Sequence, residues 1–185
     1  MKYVSIDIET TGLNPDEHQM IEFGAIIEDT QNILPREECP TLHLYFDYPK
    51  YICTPYAAAF NADIFKTIIE LKKSGNTSFL IKPELFTDQF EMFIRRHFTN
   101  DLITPAGKNF GSFDLQFLNR MPYFQYHKIL HYRTLDPAMF FIDFKNNDRI
   151  PSLSECKSLA NLNNIVTHRA LDDAWDVITL FRTRY

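Results

Sequence analysis

Apolar and polar positions alternate at the start of the chain, where Val4, Ile6 and Ile8 interleave with Ser5, Asp7 and Glu9. Period-two alternation marks a strand whose successive side chains point to opposite faces. Residues 2–9 therefore read as a strand with Asp7 and Glu9 side by side on one face. TTGLNPDEHQ (10–19) reads as a turn-rich loop broken by Gly12, Asn14 and Pro15. The mostly apolar stretch 20–28 predicts a buried second strand, and 41–48 alternates well enough for a third. Helical periodicity runs over 55–73 and again from Pro83 to Phe98, with Pro83 in a first turn. Residues 101–107 predict a short strand, 113–120 a helix and 131–141 a strand end leading into a helix. Pro151-Ser152 opens a further short helix, and 168–184 reads as the last. Segment 74–82 is expected to be a mobile loop. The order predicts one α/β domain over 1–185, a mixed sheet of three antiparallel strands followed by parallel strands, flanked by helices.

Composition narrows the partners. With 185 residues the chain can bury a real core, and most of its 17 Phe and 9 Tyr are expected there. A net charge of −5 lacks the basic footprint of a duplex-DNA binder. Short single strands held by stacking and metal ions remain compatible. Cys39, Cys53 and Cys156 form no CxxC pair and read as reduced thiols. No signal-peptide pattern opens the chain, and no apolar run approaches the ~18 residues that span a bilayer. A soluble, cytoplasmic protein without a membrane partner is expected.

Acidic residues on otherwise apolar elements carry the chemistry. Asp7 and Glu9 share a strand face; Asp114 opens a helix whose Leu115, Phe117 and Leu118 face a core. In HRALDDAWDVITLF (168–181), phasing at about 100° per residue groups Ala170, Ala174, Val177 and Phe181 on one side. Asp173 borders that stripe and can turn inward, whereas Asp172 and Asp176 point towards solvent. Four inward acids would repel unless a cation neutralised them. An all-carboxylate set without cysteine suits hard ions such as Mg²⁺ or Mn²⁺. Two such ions about 3.5–4 Å apart form a clamp for phosphodiester hydrolysis. His168, with an ordinary pKa near neutrality, can take the proton of the attacking water.

DIETTGL, NFGSFDLQFL and HRALDDAWD, in that order, resemble the three motifs of the DEDDh, DnaQ-like family of 3′–5′ exonucleases. His168 stands five residues before Asp173, and Arg169 occupies the position at which the Tyr branch of that superfamily carries tyrosine. The resemblance implies a ribonuclease H-like fold and a metal-dependent 3′–5′ exonuclease releasing nucleoside 5′-monophosphates from single-stranded ends or short oligonucleotides. Two Mg²⁺ or Mn²⁺ ions would be held by Asp7, Glu9, Asp114 and Asp173, with His168 as base. It further implies that Thr10, Gly12, Leu13 and Phe113 meet the terminal nucleotide. Partial similarity to oligoribonuclease adds Asn109, five residues before Asp114, and a possible homodimer. Thr10, where oligoribonuclease has Met, and a longer segment 30–82 depart from that subfamily.

Other readings of the same residues exist. Asp7 and Glu9 could be charges that protect an edge strand, Asp114 a helix N-cap, His168 a first-turn surface residue, and Leu13 a core plug. Trp175 reads as core. Lys108 and Arg133 could meet phosphate or form salt bridges, and the remaining five histidines show no ligand spacing. A non-catalytic nucleic-acid or partner-binding module on a decayed exonuclease fold is the alternative function. An endonuclease of the ribonuclease H type does not place its Asp and Glu two residues apart on one strand.

Overall fold

The computed structural model describes residues 1–98 and 102–185. Five strands form one sheet in the order β4-β3-β2-β1-β5. β1 (Lys2–Thr10), β2 (Met20–Asp29) and β3 (Thr41–Phe46) run antiparallel, as the alternation predicts. β5 (Thr104–Ala106) pairs in parallel with Tyr3–Ser5 of β1. Asp101, at the start of the segment predicted as that strand, lies outside the described residues. Segment 74–82 is not wholly a loop, because Leu80–Ile81 forms β4 and pairs in parallel with Tyr45 and Phe46.

The helical segments shift at their ends. The periodic stretch 55–73 divides into α1 (Pro55–Phe60) and α2 (Ala62–Ser74) at Asn61. The buried Asn61 side chain donates to the Thr10 carbonyl at 2.9 Å, which ties the break to the end of β1. A single turn at Pro83–Leu85 precedes α3 (Phe86–His97). α4 is confined to Asp114–Leu118. The predicted element 131–141 reduces to a bridge at Leu135 and a short turn of helix at Pro137–Phe140. Ser152 and Glu155 form a reciprocal cap on α5 (Leu153–Leu159). α6 spans Ala170–Arg182, so His168 lies outside the last helix. Among the described residues, no helix is long and apolar enough to cross a membrane.

The alternation of β1 divides the core. Val4, Ile6 and Ile8 face α3 and α4, where Phe23, Phe86 and Phe90 meet in edge-on and stacked pairs. Such pairs add roughly 0.5–1.5 kcal/mol beyond burial. On the other face Tyr3 packs with Ala174, Val177, Ile178 and Phe181 of α6. Ser5 fastens that helix to the strand, its hydroxyl donating to the Ala174 carbonyl at 2.8 Å. β2 pairs with β1 through Asp7 and Glu9, whereas β5 pairs only with Tyr3–Ser5, so β1 is interior at its start and flanked on one side at the two acids.

Candidate active site

Asp7 and Glu9 stand near the carboxyl end of β1, beyond the last residue that β5 covers. Crevices at such strand ends are the usual place for ligands in α/β sheets. In the antiparallel register Asp7 lies opposite Gly24 and Glu9 opposite Glu22. Gly24 is required by close approach: a Cβ there would lie 2.6 Å from the backbone of Ala170 and Leu171. The first turn of α6 thus sits directly on the sheet beside Asp7.

That contact brings the ends of the chain together. Ligand atoms of Glu9, His168 and Asp173 all lie within 4.8 Å of one another, with both carboxylates buried and the imidazole exposed. His168 adopts a left-handed backbone (φ 54°), and the Arg169 carbonyl accepts from the amides of Asp172 and Asp173 at 2.9 and 3.0 Å. Asp114 arrives on the first residue of α4, buried, and the Ile8 amide hydrogen-bonds to it. It does not act as an N-cap: Phe113 occupies that position, without a side-chain cap bond.

Crowding of acids in little water shows in their protonation. Burial, then the charges of Asp114, Glu9 and Asp173, push Asp7 well above the carboxylate range. Burial, then Asp173 and Glu22, push Glu9 up to about 8. Asp114 is raised to about 8 by burial, against the pull of the Asp114 and Ile8 amides. Asp173 rises to about 6, again chiefly through burial. Desolvation lowers the His168 pKa, which keeps the ring neutral near pH 7. Four carboxyls that resist ionisation side by side, with no thiolate among them, fit hard divalent cations such as Mg²⁺ or Mn²⁺.

The predicted nucleotide-contact residues differ in their surroundings. Leu13 is 82% exposed at the tip of its turn, so it does not plug the core. The Thr10 hydroxyl donates to the Gly12 carbonyl at 2.8 Å, and Gly12 is covered by the His18 ring, which leaves no room for a Cβ. Phe113 is half-buried, its ring tilted against Phe117. Asn109 has a left-handed backbone (φ 60°), and its side-chain oxygen accepts from Lys108 at 2.6 Å. Lys108 also pairs with Asp136 at 3.6 Å. Arg133 lies over the Tyr132 ring. Asp172 and Asp176 are not a solvated face: they are half-buried and pair with Arg36 and Lys157 respectively. Trp175 is half-buried, its ring beneath the Arg36 and Arg182 guanidinium groups.

Two features escape sequence reasoning. Phe60 meets the His168 ring edge-on at 4.5 Å, and Tyr56 stacks on Phe60, both rings exposed on α1. Glu22, Tyr45 and Arg169 form a polar row behind Glu9. A lone acid in the apolar run MIEFGAII was the available signal for Glu22. A cleft of about 840 Å³ lined by His18, Tyr48, Phe117 and Arg120 contains none of the four carboxylates or His168.

The sheet order and flanking helices define an α/β fold of the ribonuclease H type. Residues 4–62 match the RNase T family model, described as an exonuclease. Among solved structures, exonuclease I of E. coli in complex with a dT13 oligonucleotide is 15% identical with a TM-score of 0.67, over 98% of this chain and 40% of that one. Cell-death related nuclease 4 (CRN-4) is 14% identical with a TM-score of 0.70, over 99% of this chain and 62% of that one. Exonuclease I of Methylocaldum szegediense is 17% identical with a TM-score of 0.64, over 98% and 40%. This chain therefore spans about two fifths of the exonuclease I chains it resembles. Curated protein sequences yield no match. The chain thus resembles the DnaQ-like exonucleases both in motif and in fold, and the two together support a nuclease acting on nucleic acid.

Proposed function

We propose that this protein is a metal-dependent 3′–5′ exonuclease that removes nucleoside 5′-monophosphates from single-stranded ends. The observation that carries the reading is the meeting of Glu9, His168 and Asp173 ligand atoms within 4.8 Å, with the half-buried Asp7 and the buried Asp114 as charged neighbours. Asp7, Glu9, Asp114 and Asp173 would hold two divalent ions, Mg²⁺ or Mn²⁺. Bound there, the ions would supply charge neutralisation and Lewis-acid polarisation at a phosphodiester.

The remaining work falls to this chain's side chains. His168, neutral near pH 7 and exposed, accepts the proton of the water that attacks the terminal phosphorus. As the new P–O bond forms, the bond to the 3′ oxygen breaks, and the shortened strand leaves with a 3′-hydroxyl protonated from solvent. Phe60 and Tyr56 offer a stacking face for unpaired bases beside His168. Leu13 projects towards solvent from the turn after the carboxylate strand and is free to meet the terminal nucleotide. The chain's negative charge favours short substrates held by stacking and metal over long ones held by phosphate contacts.

The test is a 5′-labelled oligonucleotide incubated with purified protein in Mn²⁺ or Mg²⁺. A ladder that shortens from the 3′ end, stops in EDTA and disappears in Asp7→Ala supports the reading. Cleavage that persists in Asp7→Ala overturns it.

A further inference from the structure

The segment Thr167–Arg169 has no regular structure, yet it carries the proposed base. His168 holds a left-handed backbone that is costly for a residue with a side chain. Something outside the segment must fix it. The next residue, Arg169, sends its guanidinium across the sheet. Nε lies 3.4 Å from Glu22 Oε1, and the terminal nitrogen hydrogen-bonds to the Tyr45 hydroxyl. The guanidinium carbon stands 5.9 Å from the Tyr45 ring centroid.

Glu22 is the anchor. Its side chain is fully buried, and it sits between Glu9 on β1 and Tyr45 on β3 in the strand registers. The same oxygen that meets Arg169 also meets His43 Nε2 at 2.7 Å, while the buried Oε2 has no hydrogen-bond partner among the described residues. A buried carboxylate with one oxygen unsatisfied costs stability unless it serves a placement. A hydrophobic residue at this strand position would be the cheaper choice for folding alone.

Taking the exonuclease reading of the site as given, we infer that the Arg169–Glu22 pair, completed by Tyr45, is a latch that positions His168 over Glu9 and Asp173. Arg169 works at both ends of the turn. Its side chain fastens the segment to β2 and β3, while its carbonyl caps the helix turn that carries Asp173. Glu22 and Arg169 are thus positioning residues, acting on the reaction through His168.

Glu22→Gln keeps the shape and removes the charge, and Arg169→Lys keeps the charge but cannot reach Glu22 and Tyr45 together. With the 5′-labelled oligonucleotide, Glu22→Gln is expected to lower kcat by about 10- to 100-fold with KM changed by less than about three-fold, and Arg169→Lys to fall in between. The His168 ring proton resonance of the metal-free protein should move in both variants. Unchanged kcat and an unmoved resonance would overturn the latch, as would a kcat loss matched by an equal loss of folded protein. If the wild-type protein cleaves nothing, the exonuclease reading fails while the resonance still decides the latch. A shift in Glu22→Gln then supports it and no shift overturns it.

Discussion

Gly24 and Ala170 touch backbone to backbone: β2 and the first residue of α6 approach so closely that a single methyl group on Gly24 would stand 2.6 Å from the Ala170 carbonyl carbon. Asp7 is the register partner of Gly24, so this contact sets the distance between the two halves of the carboxylate cluster. Gly24→Ala should lift the start of α6 from the sheet. Overpacking of this kind costs about 1–3 kcal/mol, and the proposed activity should fall further than stability because Asp173 moves with the helix, away from Glu9 and His168. Thermal melting and the oligonucleotide assay, run on the same preparation, check both halves of the expectation.

The carboxyl cluster also sets a pH dependence of stability. Glu9 and Asp114 are raised to about 8 and Asp173 to about 6, mainly by burial. A carboxyl raised in the folded state binds protons that the unfolded chain has already released. Stability of the metal-free protein therefore declines from the ordinary carboxylate pKa up through these values, between about pH 4 and 8. In EDTA the melting temperature should drop as pH rises from 5 to 8. Mn²⁺ at a hundred times its dissociation constant should restore about 2.7 kcal/mol, or roughly 5–10 °C for a chain of this size. A melting temperature indifferent to Mn²⁺ at pH 8 would count against the metal site.

His168→Ala should reduce the cleavage rate by about 10²–10⁴-fold, the usual contribution of a positioned general base. Because desolvation lowers its pKa, the wild-type rate should rise with pH and level off below the range of an ordinary histidine. A pH–rate profile of the two proteins distinguishes loss of the base from loss of fold.

Tyr56 is 76% exposed and stacks on Phe60. Tyr56→Ala should weaken oligonucleotide binding by about 1–3 kcal/mol, seen as a raised KM with kcat nearly unchanged. Fluorescence anisotropy of a labelled oligonucleotide in Ca²⁺ gives the same quantity without turnover.

Some of this was written locally and some was not. β1 and its two acids were legible because alternation is a property of neighbouring residues, and α6's inward Asp173 because helical phase is too. The pairing of Asp172 and Asp176 is not legible in helical phase, because Arg36 and Lys157 arrive from distant segments. β4 was missed because a two-residue strand carries no period and exists only through its pairing with β3. The break at Asn61 falls where its side chain hydrogen-bonds to the end of β1, a partner that local periodicity does not show. The role of Glu22 is not legible in its own strand, because only the register sets it between Glu9 and Tyr45.

The hydroxyl of Ser5 and the carbonyl of Ala174 join residues 169 positions apart, and the proposed centre straddles that seam. A ribosome making this protein therefore delivers Asp7 and Glu9 long before their counterparts. Until α6 has been made and docked, the nascent polypeptide holds only a fragment of the proposed centre.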